Sequence, residues 1–300
     1  MHELLSHASG DVLEFRWASD LEIFRFPYWA PCYLIDGLLI DTGAPGGNEE
    51  YSRFFRNHEI TQCALTHSHE DHAGNVHILN KLEIPVYAHK DAITLLAEGF
   101  TYPEYRVLTW GSEVRPGKVK AISKKEIKTQ EKGYSFSVIP MPGHASDLIA
   151  FLEKNKQWVF VADSVMPKYT QIFDFADPTY ASGAWIQEDI SLIYRSIRNL
   201  LIVTRGMKDL QIFTQLSGIQ SRSFLQDRLA EIESMHKQAH HLQHNDLTED
   251  EILIRMFDRE SFAGVNSNGH LSRKNLVESL LKWPEESWEK RSTNTTRPTD

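Results

Sequence analysis

The chain has 300 residues, of which 41% are hydrophobic and 24% charged, and its formal net charge is −9. This composition is typical of a globular protein with one large domain or two smaller ones. The negative charge argues against a nucleic-acid partner, and no apolar run approaches the ~20 residues that a membrane helix needs. The N-terminus shows no export signal, and two cysteines provide no disulfide framework, so we expect a cytoplasmic protein.

The first two thirds of the chain predict an α/β fold. Residues 32–43 read as two apolar strands joined by an Asp36-Gly37 turn, which is a strong hairpin signal. The remaining elements, in chain order, are a helix at 48–60, a strand at 62–66, helices at 75–82 and 90–99 around a strand at 84–88, an irregular region with Pro103, Trp110 and Pro116, strands at 134–141, 148–153 and 158–162, a helix at 188–203 and a last strand at 210–214.

After about residue 219 the strand signals stop. Helices are predicted at 221–243, 247–257 and 271–283, and Thr248 with Glu251 has the spacing of a capping box. The polar residues 286–300 are expected to be disordered. We therefore predict an α/β domain over 1–219 and a helical C-terminal extension over 220–285. Its apolar stripes should cover part of an active-site mouth or form a homodimer contact.

One short segment carries most of the chemistry. Residues 66–72 read Thr-His-Ser-His-Glu-Asp-His and follow a buried strand directly. His67 and His69 are two residues apart, so in an extended loop they point to the same side. Asp71 and His72 come at the start of a helix and can face the same cavity. Imidazole and carboxylate are the ligands that zinc, iron and manganese prefer, so the cluster predicts a metal site with one or two ions.

Two later residues fit the same site. His144 lies in a Pro-Gly turn after a strand, and Asp163 ends another buried strand, where a carboxylate is costly unless it is paired or metal-bound. Taken alone, each has an ordinary explanation as a turn histidine or a helix cap.

The basic stretch 118–132 has six lysines interleaved with Glu126 and Glu131, and we interpret it as a solvated face.

The motif resembles that of the metallo-β-lactamase fold superfamily, whose members form an αββα four-layer sandwich. The resemblance covers about residues 12–220. Within the superfamily, the chain is similar to glyoxalase II-like and other simple members that have a helical C-terminal extension. It implies that His67, His69 and His144 bind a first ion. It also implies that Asp71 and His72 bind a second ion, that Asp163 bridges the two, and that Asp41 in the 38–43 strand is a partner of a ligand histidine.

The sequence departs from the family pattern at one place. The family supplies a last histidine to the second ion from a turn after a late strand, and here Ser217 is the residue assigned to that position. The second site would then be weak, completed by another side chain, or empty. His236, His240 and His244 share one face of the helix at 221–243, and an exposed helix face is favoured there over a ligand role.

The resemblance implies a hydrolase in which a metal-activated water attacks the substrate and Asp71 orients the water or moves a proton. Zinc is the first expectation, with iron or manganese as alternatives. The substrate expected is a small ester, thioester or lactone. Its apolar acyl portion would contact aromatic residues, namely Phe26, Tyr28, Trp29, Tyr169, Phe173 and Phe175. Lactonase relatives place a tyrosine where this chain has Met166, so a lactonase is not favoured.

Two alternatives remain open at this stage. Some relatives use one iron on the same ligands for sulfur oxidation, so a mononuclear iron sulfur dioxygenase-like enzyme is one alternative. The altered last ligand leaves a second, a regulatory or binding protein with a degenerate second metal site. Metal content and oxygen uptake distinguish the first alternative from a hydrolase.

Overall fold

The computed structural model describes residues 1–20, 27–166 and 187–285, and its strands form two sheets. The first sheet is antiparallel from its first to its fourth strand and parallel from there to its last. In spatial order, its strands are β1 (His2–His7), β2 (Val12–Trp17), β3 (Ala30–Ile35), β4 (Leu38–Ile40), β5 (Gln62–Ala64), β6 (Val86–Ala88) and β7 (Lys120–Ala121). The predicted hairpin is β3 and β4, which turn at Asp36 and Gly37.

The second sheet is antiparallel except for one parallel pair, β11 with β12. Its strands are β8 (Glu126–Lys128), β9 (Ser135–Pro140), β10 (Ile149–Glu153), β11 (Trp158–Ala162), β12 (Gln211–Thr214) and β13 (Ile219–Gln220). A backbone hydrogen bond of 2.9 Å from Ile149 N–H to the Thr66 carbonyl oxygen joins this sheet to the loop after β5.

Helices cover the outer face of each sheet. They are α1 (Asn48–Asn57), α2 (Glu70–Ala73), α3 (Val76–Lys81), α4 (Ala92–Glu98), α5 (Glu104–Trp110), α6 (Ile190–Val203), α7 (Arg222–Gln243), α8 (Glu249–Phe257), α9 (Phe262–Asn266) and α10 (Arg273–Lys282). Within the described residues, no helix is both long enough and apolar enough to cross a membrane.

Three buried apolar clusters define four layers. One lies between the two sheets and includes Ile35, Phe151 and Phe160. A second lies between the first sheet and α1, α3 and α4, and a third lies between the second sheet and α6 with the C-terminal helices. The order helix, sheet, sheet, helix confirms the predicted αββα sandwich.

The central strands are apolar on both faces because both faces are covered. Every residue of β10 and of β11 is buried, and the two segments read IAFLE and WVFVA. Continuous apolar runs of this kind are expected for strands enclosed on two sides, whereas a half-exposed strand would alternate. Packing on both faces therefore fixes the positions of the central strands. The polar side chains of the site lie at the ends of the strands, outside this packing.

The C-terminal helices share a core with the second sheet. Leu225, Ile232, Leu276 and Leu280 are almost fully buried in the cluster that also contains strand residues such as Val161. The extension is thus packed against the sandwich rather than standing apart from it. The boundary near residue 219 stays a prediction, and the tail at 286–300 lies outside the described residues.

Several elements of the structure were not predicted from the sequence, among them the N-terminal strands β1 and β2. The region around Trp110 contains α5, a helix that begins after Pro103, because Trp110 packs into the first-sheet core and orders the segment. The extension also contains α9, which was not predicted. The lysines of 118–132 are exposed, as expected for a solvated face, although short strands β7 and β8 run through the stretch.

Removing apolar volume from the extension is expected to destabilise the whole sandwich. Leu276→Ala should lower the free energy of unfolding by ~2–5 kcal/mol, because Leu276 is only 1% exposed and the cavity cannot collapse freely. Ile254→Ala is the matched control on α8, where the side chain is 52% exposed. Chemical denaturation of both variants measures the difference, and equal stabilities would show that the extension does not share the core.

Candidate metal centre

The candidate site lies where strands of both sheets end. His67 comes three residues after β5, Asp41 directly after β4, and Asp163 directly after β11. Because β4 pairs with β5 in parallel and β11 with β12, the carboxyl ends of these strands meet at the same edge of the sandwich. His144, four residues after β9, reaches the same edge. The fold thus brings together residues that are up to 122 positions apart in the chain, from Asp41 to Asp163.

Four residues form the first ligand group. His67, His69, His144 and Asp163 each offer one donor atom, and these atoms all lie within 4.8 Å of one another. The Nδ1 atom of His69 is 2.8 Å from His67 Nε2 and 3.0 Å from His144 Nε2. Three ring nitrogens this close cannot all be satisfied by shared protons, whereas one cation among them accepts all three lone pairs.

A second group shares the Asp163 carboxylate. Asp71, His72 and Asp163 again offer donor atoms within 4.8 Å of one another. His72 Nε2 lies 3.2 Å from Asp163 Oδ2 and 3.7 Å from Asp71 Oδ2. All six residues predicted as ligands are therefore brought together, and Asp163 stands between the two groups as the resemblance implied. Their role as ligands stays a prediction.

The electrostatics of the cluster suit a divalent cation. Burial and the neighbouring imidazoles lower the pKa values of His67 and His69, so both rings are neutral and keep a lone pair. Burial acts in the same direction on His144, but hydrogen bonds to Asp163 and Glu188 outweigh it and raise the pKa to about 9. A proton there supplies positive charge that the buried carboxylates require, and a metal ion supplies the same charge.

Two carboxylate oxygens in the cluster point to the same conclusion. Asp71 Oδ1 and Asp163 Oδ1 are buried and have no hydrogen-bond partner among the described residues. Leaving such acceptors unsatisfied costs free energy, so their position beside imidazole nitrogens is what a metal site requires. The residues present therefore fit one or two divalent ions.

Asp41 orients His72, as the sequence predicted. Its Oδ2 atom is 2.8 Å from His72 Nδ1, while both its oxygens accept from the Thr66 hydroxyl group and Oδ1 also accepts from the Thr66 N–H. The bond holds the proton on Nδ1 and leaves Nε2 free to face Asp163 and Asp71. Asp41 has a left-handed backbone, with φ of 62°, which the dense hydrogen bonding around it maintains.

Glu188 orients the His144 ring as Asp41 orients His72, and its role was not predicted from the sequence. Its Oε1 atom is 2.7 Å from His144 Nδ1, so the proton sits on Nδ1 and Nε2 faces the first ligand group. Glu188 lies just before α6, far from the histidine motif in sequence. A lone glutamate ahead of a helix carries no signal of this role, because glutamates are common there.

A bulge in β11 directs Asp163. The pairing of β11 with β12 runs from Phe160 opposite Phe213 to Ala162 opposite Thr214, so β11 uses one more residue than its partner. Ala162 has a φ of 46°, which marks the distortion. The extra residue reverses the alternation of the strand and places Asp163 on the inter-sheet side, toward the histidines of the first sheet.

Arg106 of α5 also borders the site. Its guanidinium forms an ion pair with Glu70 and lies 3.8 Å from Asp71 Oδ1. Burial raises the pKa of Asp71 to about 6, with the nearby Asp163 and Glu70 acting in the same direction and His72 and Arg106 opposing them. Arg106 balances part of the acidic charge, and it could not be identified from local patterns because Glu70 and Asp71 lie far from it in the chain.

After the last strand, the side chain that contacts Asp71 is that of Gln215, whereas Ser217 was the residue assigned to the last ligand position. Gln215 Nε2 donates to Asp71 Oδ2 at 3.1 Å and to the Trp29 carbonyl oxygen at 3.1 Å. The Ser217 N–H instead donates to the Thr214 hydroxyl group, two residues further along the turn. Gln215 directly follows β12 as Asp163 directly follows β11, and that position was the signal available in the sequence.

The histidines of α7 have a structural role. The Nε2 atoms of His236 and His240 each lie 2.8 Å from the Trp283 carbonyl oxygen and so fasten the end of α10. Their rings lie in the extension, and neither belongs to a potential metal group among the described residues. The sequence analysis favoured an exposed helix face here, which was wrong for His236 and His240, because both side chains are buried.

The predicted aromatic wall is partly described. Tyr28 stacks on Trp110, with ring centroids 4.8 Å apart, and Arg16 lies over the Trp29 ring. Burial first, and then the charges of Asp163 and Asp71, raise the pKa of Tyr28, which places that ring beside the cluster. Phe26, Tyr169, Phe173 and Phe175 lie outside the described residues. Met166 is buried against Leu216 and against Leu271 of the extension.

Loss of a ligand imidazole is expected to release metal without unfolding the chain. His69→Ala and His144→Ala should each lose most of the bound ion, because three nitrogens converge on one point and the apolar cores lie elsewhere. Elemental analysis after desalting measures metal content, and circular dichroism checks the fold. His241→Ala, on the exposed side of α7, is the control. Full metal content in either ligand variant would contradict the assignment of the first group.

Neutralising the partner of His144 is expected to weaken metal binding more mildly. Glu188→Gln keeps an acceptor for the His144 Nδ1 proton but removes the negative charge, so metal affinity should fall ~10–100-fold. Competition with a chelator of known affinity measures the change, and the surface variant Glu98→Gln serves as control. An unchanged affinity would mean that Glu188 does not act through His144.

The chain was compared with known proteins. The sequence model of the metallo-β-lactamase superfamily matches residues 30–206, which is more than half of the chain. A curated relative, thioesterase pkgB of Emericella nidulans (strain FGSC A4), is 29% identical over 133 residues, or 43% of this chain. The match spans only 32% of that relative's length.

Solved structures share the fold at low sequence identity. A metallo-β-lactamase from Pontibacter korlensis aligns with a TM-score of 0.57 and 15% identity over 77% of this chain and 98% of its own. The metallo-β-lactamase FIM-1 from Pseudomonas aeruginosa, in its mono-zinc form, aligns with a TM-score of 0.55 and 16% identity over 78% and 96%. With the ligand motif, the four-layer sandwich and the matched residues in agreement, the chain belongs to the metallo-β-lactamase superfamily.

Proposed function

We propose that the chain is a metal-dependent hydrolase that cleaves a small thioester, with simple esters as a related substrate class. The observation that carries the proposal is the convergence of four imidazoles and two carboxylates at one strand edge, with donor atoms within 4.8 Å inside each group. The partial similarity to a thioesterase supports the choice of thioester. Zinc is the proposed first ion, and the cytoplasm is the proposed location because Cys32 and Cys63 are both free thiols.

A divalent ion held by His67, His69, His144 and Asp163 would supply an activated water and would polarise the substrate carbonyl. The protein groups around it have distinct tasks. Asp41 and Glu188 keep His72 and His144 in the tautomers whose Nε2 atoms face the site. Burial of the whole edge excludes bulk water and strengthens each electrostatic contact.

Asp71 is the proposed catalytic side chain. Its carboxylate lies against His72, and the buried surroundings raise its pKa to about 6. From this position the carboxylate can orient the attacking water and pass a proton to the leaving thiolate. Arg106 and Gln215 hold the Asp71 carboxylate from two sides and so fix its orientation.

The wall beside the cluster suits an apolar acyl group. Tyr28 and Trp29 are only partly buried, and Tyr28 stacks on the buried Trp110, so these two rings are the described aromatic surface offered to an acyl group. Met166 stands where lactonase relatives have a tyrosine, so a lactone is the less favoured substrate. A small-molecule substrate is proposed on this basis, with neither nucleic acid nor membrane as a partner. Whether the extension also forms a homodimer contact stays a prediction.

The test is a substrate panel run on protein of known metal content. Acyl thioesters of increasing chain length should be hydrolysed, with rates that exceed those for lactones. Treatment with a chelator should abolish the activity, and zinc should restore it. His69→Ala should reduce kcat/KM by at least about a thousandfold, because the activated water is lost with the ion.

The same panel separates the rival functions. Oxygen consumption with a thiol substrate would indicate a sulfur dioxygenase and contradict the hydrolase proposal. Asp71→Asn provides a second check, because it keeps the size of the side chain while removing its charge. Hydrolysis at the unmodified rate in that variant would show that Asp71 is not the catalytic side chain.

A further inference from the structure

The side-chain amide of Gln215 is fixed in one of its two orientations. Its nitrogen lies 3.1 Å from the Trp29 carbonyl oxygen and 3.1 Å from Asp71 Oδ2, and the side chain is only 6% exposed. A backbone carbonyl accepts hydrogen bonds and never donates one, whatever the protonation of its neighbours. A half turn of the amide would therefore place its oxygen against the Trp29 oxygen and break both bonds. The nitrogen is the atom that faces Asp71.

This orientation presents hydrogens, rather than a lone pair, to the second ligand group. Both N–H bonds of the amide are used, one toward Trp29 and one toward Asp71. The nitrogen of a primary amide is a hydrogen-bond donor only. Although Gln215 reaches the site from the end of β12, it brings no ligand atom to it.

The two potential metal groups therefore differ in the ligands that the protein supplies. The first has three imidazoles and one carboxylate. The second has Asp71, His72 and the Asp163 carboxylate, which it shares with the first group. The charge of a carboxylate that already binds one ion is partly neutralised, so Asp163 attracts a second ion less strongly. The second position is the weaker of the two.

Asp71 already has partners of the kind that an ion would provide. Gln215 donates to its Oδ2 atom, and the Arg106 guanidinium lies 3.8 Å from its Oδ1 atom. The Asp71 side chain is buried, and a buried carboxylate requires donors or cations around it. With a donor at one oxygen and a cation beside the other, Asp71 keeps its place without a second ion.

We propose that the Gln215 amide takes the place of a ligand of the second ion and leaves the centre with one tightly bound ion. Asp71 is then held by a hydrogen bond and acts as a proton carrier, and Gln215 is its positioning residue. The inference deepens the proposed function, on whose metal centre it rests. The rival explanation is that Asp71, His72 and Asp163 bind a second ion whose coordination is completed by water.

Metal counting on the full-length chain distinguishes these explanations. Metal-depleted protein is loaded with excess Zn²⁺ and desalted, and elemental analysis should then find about one zinc per chain. Gln215→His adds a neutral nitrogen donor at the end of β12, and Gln215→Glu adds a carboxylate, so at least one of them should raise the count toward two. Ser217→His is the matched control in the same turn. It should leave the count at one, because the Ser217 N–H bonds back to the Thr214 hydroxyl group.

A third variant tests how Gln215 acts on Asp71. Gln215→Leu has a similar size and no N–H group, so its zinc content should stay at about one per chain while thioester hydrolysis slows ~10–100-fold. The loss is expected in kcat rather than in KM, because Arg16 also holds the Trp29 ring. Circular dichroism and the unfolding midpoint check that each variant is folded.

The inference is overturned if the unmodified chain retains two zinc ions after desalting, or if neither Gln215→His nor Gln215→Glu gains an ion. It is also overturned if Gln215→Leu loses its zinc or keeps the unmodified kcat. A chain with one zinc that hydrolyses no thioester would refute the proposed function alone. A chain that hydrolyses thioesters with two zinc ions would refute only the role of Gln215.

Discussion

The carboxylate of Asp163 is the contact on which the site depends, because it joins imidazoles from both sheets. Its Oδ2 atom lies 3.2 Å from His72 Nε2, 3.4 Å from His144 Nε2 and 3.9 Å from His67 Nε2. Burial alone would raise the pKa of Asp163, but the hydrogen bonds from His144 and His72 outweigh burial and lower it. A buried carboxylate in such a position is ionised, and it needs positive charge around it.

The three buried apolar clusters hold the sheets in place and so stabilise the fold against the repulsion between charges at the site. Each sheet is covered on its outer face by helices and on its inner face by the other sheet, so the strands cannot shift to relieve repulsion at their ends. The backbone bond between Ile149 and Thr66 ties the sheets together next to the site. Ligands carried by two different sheets therefore keep a fixed separation, as a preformed metal site requires.

The αββα fold was predicted, and the six candidate ligands were chosen, by combining local sequence patterns with the resemblance to a known family. The hairpin at Asp36-Gly37, the apolar strands and the histidine motif each occupy a few adjacent residues. Arg106, Glu188 and Gln215 could not be identified in that way, since each acts through a contact with a residue far away in the chain. Ser217 was assigned to the last position by comparison with the family's turn after its last strand, whereas the residue that contacts Asp71 is Gln215, directly after β12.

The bulge in β11 links the chemistry of the site to the number of residues in a strand. Side chains of β11 alternate between the inter-sheet cluster, which contains Phe160, and the helix-covered cluster, which contains Val161. Shortening the strand by one residue would restore regular alternation and turn the Asp163 carboxylate toward the helices, among aliphatic side chains that offer it no cation. A substitution in β11 changes the packing around the site, whereas an insertion or deletion changes the direction of the Asp163 carboxylate and so removes it from the ligand cluster. Lineages that carry this site are therefore expected to keep the length of β11 constant even where its apolar side chains differ.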